Sequence, residues 1–293
     1  MLWGRENSKN YSELSGTRKN QYLELDDGIS LTTSLQHSLD SSEYIFISVN
    51  SQELRGLAEL ISKHCVKNKK FILCMKGIEC KSGKRLSQVV AEEIGTSSGV
   101  AVWVGPGHVQ DFVAGVPNCM IIGSEDIGLT KDIVQNLSSD LIRFYYGQDL
   151  IGNEIGAAAK NVIGIAAGIL DGLDYSSLKG ALMARGAREI SRLIRAMGGN
   201  ELTAYGLSHL GDYEATLFSQ YSHNRKFGEL FARGKKFDKL AEGVSTVKAL
   251  ILLSKKHDVE LPICEAVNKT LHEGCGAREA LINLFLRPVK FEF

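Results

Sequence analysis

The chain is expected to fold as an α/β lobe followed by an all-helical lobe. Two observations carry this expectation. Between Tyr44 and Tyr146, short apolar runs of strand length alternate with helix-sized intervals, and from Asn153 onward the pattern is helical with no convincing strand. A length of 293 residues suits two domains, each large enough to bury its own core.

The candidate strands are Tyr44–Val49, Phe71–Cys74, Val100–Val104, Met120–Ile122 and Leu141–Tyr146. Runs of this kind separated by helices indicate a largely parallel sheet. In the second lobe Leu178, Leu182, Ile190, Leu193, Ile194 and Met197 recur on one helical face before a Gly198-Gly199 stop. The boundary falls at about Gly147, giving domains 1–147 and 148–293. No repeat of solenoid period is found.

Composition narrows the function classes. Apolar residues make up 44% and charged residues 23%, the proportions of a globular protein rather than a disordered or fibrous one. The 34 Lys and Arg balance 34 Asp and Glu, so the molecule as a whole has no electrostatic preference for nucleic acid or an anionic membrane. The basic run Arg233, Lys235, Lys236 and Lys239 reads as a solvated face. Cys65, Cys74, Cys80, Cys119, Cys264 and Cys275 form no C-x-x-C pair, and with no secretory signal they read as reduced thiols of a cytoplasmic protein. The seven His show no metal-ligand spacing, so no metal is expected. No uninterrupted apolar run approaches the ~20 residues of a membrane span.

Four segments carry candidate chemistry. In Ile155–Leu170, Lys160 and Asn161 interrupt a stretch otherwise apolar or small, the composition of a helix buried nearly all round. An ammonium there is either paired with a lowered pKa, and so a general acid or base near neutrality, or it snorkels to the surface; the segment alone leaves both open. Lys76-Gly77 follows a strand at the edge where open parallel sheets place ligand contacts, though a solvated loop lysine has the same pattern. Gly105-Pro106-Gly107-His108 also ends a strand, and its glycines allow close approach of a ligand or form an ordinary turn. Finally Gly211-Asp212, Thr216 and Ser222-His223-Asn224-Arg225-Lys226 gather an acid, hydroxyls, an amide and cations able to hold an ammonium and a phosphate, or to end a solvated helix.

Together these segments resemble the bacterial NAD(P)-dependent glycerol-3-phosphate dehydrogenase family, from Leu2 almost to the C-terminus. The family's A-L-K-N-V-x-A-I-A-A-G is similar to Ala158–Gly168, its G-L-G-D to His209–Asp212, and its S-R-N-R-x-x-G to Ser222–Gly228. Lys76-Gly77, Arg185-Gly186 and Leu240-Ala241-Glu242-Gly243 match further motifs in the same order. The resemblance implies a Rossmann-like first lobe, a homodimer, and reversible reduction of dihydroxyacetone phosphate to sn-glycerol 3-phosphate for phospholipid synthesis, with NAD or NADP as cofactor. By the same resemblance Lys160 protonates the ketone oxygen as hydride reaches the carbon, Asp212 orients it, and Lys76 faces both substrate and nicotinamide. Gly105, Asn161, Thr216, Ser222, Asn224 and Arg225 are implied around the substrate, and Arg5, Lys76, Val109 and Glu242 around the dinucleotide.

The chain departs from the family in three places. Family members open with a strand and a G-x-G-x-x-G turn into a helix, whereas Met1–Arg5 looks like the end of their second strand. Roughly 25 to 30 residues of the first βα unit are therefore expected to be absent, leaving an incomplete sheet and weakened dinucleotide binding. A binding or dimerisation partner without activity is the alternative this leaves. His223 stands where the family has Arg, and Gly107-His108-Val109 replaces S-F-A, which removes a hydroxyl from the pocket.

Overall fold

A computed structural model describes residues 1–95, 97–289 and 291. The first lobe runs β1 (Leu2–Trp3), α1 (Lys9–Thr17), β2 (Leu31–Thr32), α2 (Leu35–Asp40), β3 (Tyr44–Ile47), α3 (Leu54–Ile61), β4 (Lys70–Leu73), α4 (Leu86–Ile94), β5 (Gly99–Val104), α5 (Val109–Val113), β6 (Asn118–Gly123), α6 (Ile127–Leu137) and β7 (Ile142–Gly147). The second contains α7 (Leu150–Gly172), α8 (Lys179–Ala196), α9 (His223–Ala232), α10 (Gly243–His257), α11 (Pro262–His272) and α12 (Ala277–Phe285). The apolar runs between Tyr44 and Tyr146 form strands as expected, and no strand follows Gly147 among the described residues.

The strands form two sheets. β1 and β2 pair in parallel by themselves, while β3-β4-β5-β6-β7 form a five-stranded sheet in sequence order. No strand pairing joins the two sheets among the described residues. Pairing within the larger sheet is parallel except between β5 and β6, where Val102 opposes Gly123 and Val104 opposes Ile121. The intervening segment holds only the five-residue α5. It turns the chain back at the sheet instead of carrying it over a face, so the neighbours run antiparallel.

One face of the sheet buries Ile47, Phe71, Leu73 and Val102 against Leu54, Leu57 and Ile61 of α3 and Leu86, Val89 and Val90 of α4. The other buries Ile72, Ala101 and Ile122 against Leu129, Ile133 and Val134 of α6. Side chains alternate between faces along each strand, so both faces of so apolar a sheet need helical cover.

α7 joins the lobes. Its Leu150 and Ala157 pack in the sheet lobe, and Ile155, Ala158, Ala159, Val162 and Ile165 pack with α8, α10 and α11. Glu154, buried on α7, accepts from Arg85 Nη1 at 2.5 Å, from the Ser87 amide at 2.9 Å and from Ser87 Oγ at 2.6 Å. A carboxylate from one lobe thus satisfies the first turn of a helix in the other. By length and composition α7 is apolar enough to cross a membrane, but 83% of its most apolar window is buried inside the protein. It is a core helix.

Small residues let α7 and α9 cross closely. A Cβ on Gly168 would collide with the Arg225 carbonyl, one on Gly228 with the Ile165 carbonyl, and one on Gly164 would sit 2.7 Å from the Thr216 methyl. The contact brings the segment after Asp212 onto the same helix that carries Lys160.

Candidate active site

Lys160 lies midway along α7, 8% exposed and surrounded by apolar neighbours. Its Nζ is 2.8 Å from Asp212 Oδ2 and donates to Thr216 Oγ1 at 2.8 Å. Asp212, fully buried, sits in a short turn at Leu210–Asp212, and Thr216 in the π-helical turn Glu214–Phe218. Burial is the largest influence on Lys160 and pulls its pKa down to about 8; Asp212 opposes the shift and Lys76 adds to it. The snorkelling alternative is thereby excluded, since the ammonium is held inside by a carboxylate and a hydroxyl.

Lys76 comes from the other lobe, just past the end of β4. Its Nζ lies 2.7 Å from the same Asp212 oxygen and donates to the Gly105 carbonyl at 2.7 Å. Gly105 has φ +140°, and a Cβ there would lie 3.1 Å from the Met120 backbone, so this residue must be glycine for its carbonyl to face Lys76. Asn161 Nδ2 donates to the Lys76 carbonyl at 3.3 Å, tying the strand end to α7. Gly77 passes beneath Ser51, whose side chain is 2.5 Å from where a Cβ would stand.

Each ammonium has three N–H groups, and the contacts above use two of each. One donor on each lysine remains for a ligand oxygen. Asp212 Oδ1 is buried and has no partner among the described residues. Lys76 and Lys160 share the Asp212 carboxylate, with the buried Glu242 carboxyl also facing both, an arrangement suited to a phosphorylated carbonyl compound whose oxygen receives a proton.

A second cluster borders this centre. Ser222 caps α9, accepting from the Arg225 amide at 3.3 Å, and Asn224 Oδ1 accepts from the Gly243 amide at 2.9 Å. Glu242 Oε1 accepts from the Ser51 amide at 3.2 Å, which brings the start of α10 to the end of β3, and burial raises its pKa. His223 Nδ1 lies 3.2 Å from the Leu240 carbonyl.

Three candidate residues form no hydrogen bond or ion pair with the lysines among the described residues. Arg225 Nη1 is 2.5 Å from Asp171 Oδ2, and its Nε donates to the Ser219 carbonyl at 3.1 Å. Asp171, which also pairs with Lys179, lies ~16 Å along α7 from Lys160 by helical rise. Arg5 pairs with Glu53 at 3.4 Å on the surface, and Val109 opens α5 about half exposed. Sequence reasoning missed Ser51, whose amide meets Glu242, and the Arg85–Glu154 pair; neither residue type signals such a contact by spacing.

The arrangement fits the reactive end of a dinucleotide. Lys76, Gly105 and Glu242 converge at the C-terminal ends of parallel strands, where doubly wound sheets hold nucleotides, beside the unsatisfied Asp212 oxygen. No G-x-G-x-x-G turn for the pyrophosphate occurs in the sequence.

A nucleotide-binding type of sheet lobe, joined by one buried helix to a helical lobe that supplies a lysine of pKa about 8, defines a two-domain dehydrogenase. Residues 1–130 match the family model described as the N-terminus of NAD-dependent glycerol-3-phosphate dehydrogenase, and residues 149–282 match that of its C-terminus. The chain belongs to the NAD-dependent glycerol-3-phosphate dehydrogenase family. It is 34% identical to glycerol-3-phosphate dehydrogenase [NAD(P)+] of Thermoanaerobacter sp. (strain X514), over 99% of this chain and 91% of the relative. It is 36% identical to the enzyme of that name from Clostridium botulinum (strain Eklund 17B / Type B), over 92% and 84%. The crystal structure of glycerol-3-phosphate dehydrogenase from Coxiella burnetii superposes with a TM-score of 0.89 at 29% identity, covering 98% of this chain and 91% of that one.

Proposed function

We propose that this chain catalyses the reversible reduction of dihydroxyacetone phosphate to sn-glycerol 3-phosphate with NADH or NADPH, supplying glycerol backbone for phospholipids. The observation that carries the reading is Lys160, buried at a pKa of about 8 between Asp212 and Thr216 with a second ammonium alongside. When bound, the reduced nicotinamide supplies hydride to the substrate's central carbon.

Lys160 gives its proton to the ketone oxygen as negative charge develops there, and Lys76 offers the second N–H to the same region. Asp212 holds both ammoniums in register, and its free Oδ1 is placed to accept from a substrate hydroxyl. Asn161, by gripping the Lys76 carbonyl, fixes the distance between strand end and helix. Gly105, Thr216, Ser222 and Asn224 complete the substrate side, and Arg5, Lys76, Val109 and Glu242 the dinucleotide side. Arg225 supports the site by anchoring α9 to α7 through Asp171.

The domains divide at 147/148, the functional unit is a homodimer, and the compartment is the cytoplasm; metal, nucleic acid and membrane have no part in the reaction. The test is NADH consumption on adding dihydroxyacetone phosphate to the 293-residue chain. Turnover supports the reading. No turnover, with no NADH binding in a titration, would favour the alternative of an inactive binding or dimerisation partner, which rests on the separation of β1 and β2 from the larger sheet.

A further inference from the structure

His108 lies within the field of Lys160. It follows Gly107, where φ is +134° and a Cβ would fall 2.7 Å from the Phe112 ring and 2.9 Å from Asn118 Nδ2. Position 107 therefore has room for no side chain, and the hydroxyl missing from the sequence there cannot be restored without moving Phe112. The next residue takes up the space. His108 is half-buried, its ring packs edge-on against Tyr221 at 5.6 Å, and it lies close enough to Lys160 and Asp212 to feel both charges. The Ala215 backbone faces the ring, yet its buried Nε2 makes no hydrogen bond of good geometry among the described residues. A buried ring nitrogen without a partner costs free energy that a bound ligand can recover.

We propose that His108 is a specificity-determining residue of this pocket, its Nε2 hydrogen-bonding the hydroxymethyl oxygen of dihydroxyacetone phosphate. This rests on the functional reading above. A hydroxyl both donates and accepts, so it satisfies Nε2 in either neutral tautomer, whereas a phosphate dianion only accepts. Burial and the Lys160 charge favour the neutral ring, for which the hydroxyl is the matching partner.

The experiment compares dihydroxyacetone phosphate with hydroxyacetone phosphate, which has a methyl group in place of the hydroxymethyl, in the full chain and in H108F and H108Q. Wild type is expected to prefer the hydroxylated substrate by about tenfold or more in kcat/KM. H108F keeps the ring packed on Tyr221 and should lose most of that preference through a higher KM for dihydroxyacetone phosphate, with kcat changed less. H108Q, which returns a polar group near the Nε2 position, should recover part of it. An unchanged preference in H108F overturns the assignment to His108. Failure of wild type to turn over dihydroxyacetone phosphate at all overturns the proposed function instead, and this inference with it.

Discussion

Lys160 and Asp212 meet at 2.8 Å inside the protein through a carboxylate oxygen that Lys76 also approaches at 2.7 Å. Neither lysine has the carboxylate to itself. That sharing, together with burial, allows an ammonium to remain in the interior and still release its proton near neutrality.

The pH dependence follows in sign. Ketone reduction uses the protonated Lys160, so kcat in that direction is expected to be full below pH about 8 and to fall as pH rises through it. Oxidation of sn-glycerol 3-phosphate uses the free amine and should rise through the same pH. Rates measured in both directions across that range check this, and limbs of the same sign in both would refute it. K160M should reduce kcat by roughly 10²- to 10⁴-fold in either direction.

Replacing Asp212 by Asn removes the carboxylate that both lysines contact. Repulsion from Lys76 then makes Lys160 easier to deprotonate, so in D212N the alkaline limb of the reduction should move below pH about 8 while kcat falls. A pH profile with its limb in the wild-type position would show that Asp212 does not set the proton affinity of Lys160.

Much of this centre is legible in the sequence. Lys160 interrupts an apolar helix, and burial is the physical reason for both that pattern and the lowered pKa. The strands are apolar runs bounded by polar turns. Asp212 is visible in the sequence as an acid grouped with hydroxyls and cations able to hold an ammonium, but a solvated helix end has the same letters, and the family resemblance is what points it at Lys160. The antiparallel pairing of β5 and β6 was hidden because it depends on how α5 turns back, a tertiary matter. The Arg225–Asp171 pair is not visible in the sequence, because only the fold brings Asp171 of α7 against α9. His108 carries no spacing signal, and its significance lies in the crowding at Gly107.

Arg85 and Glu154 connect the lobes at 2.5 Å, 7% and 4% exposed. In R85A the carboxylate stays buried without its cation, which should cost about 3–5 kcal/mol of stability. Chemical denaturation measures this, and a loss below about 1 kcal/mol would mean that water replaces the guanidinium.

The crossing of α7 and α9 tolerates no side chain at Gly168, so G168A is expected to destabilise by about 1–3 kcal/mol as the backbones are forced apart. Gly180 on α8 has nothing within 4 Å of a built Cβ and serves as the comparison. G180A should be neutral or slightly stabilising, because alanine restricts the unfolded chain. Equal melting temperatures for the two variants would contradict the close crossing.

α7 also bears on how the chain is made. Its apolar surface is completed before any of α8 to α11 has been synthesised, and its closest partner, α9, begins at His223, beyond both α8 and the turns that carry Asp212 and Thr216. During synthesis the least polar helix of the molecule must wait for its cover. A ribosome paused between Gly172 and His223 would hold a nascent chain with a sticky, uncovered rod and an unmatched buried lysine, the kind of intermediate that chaperones capture.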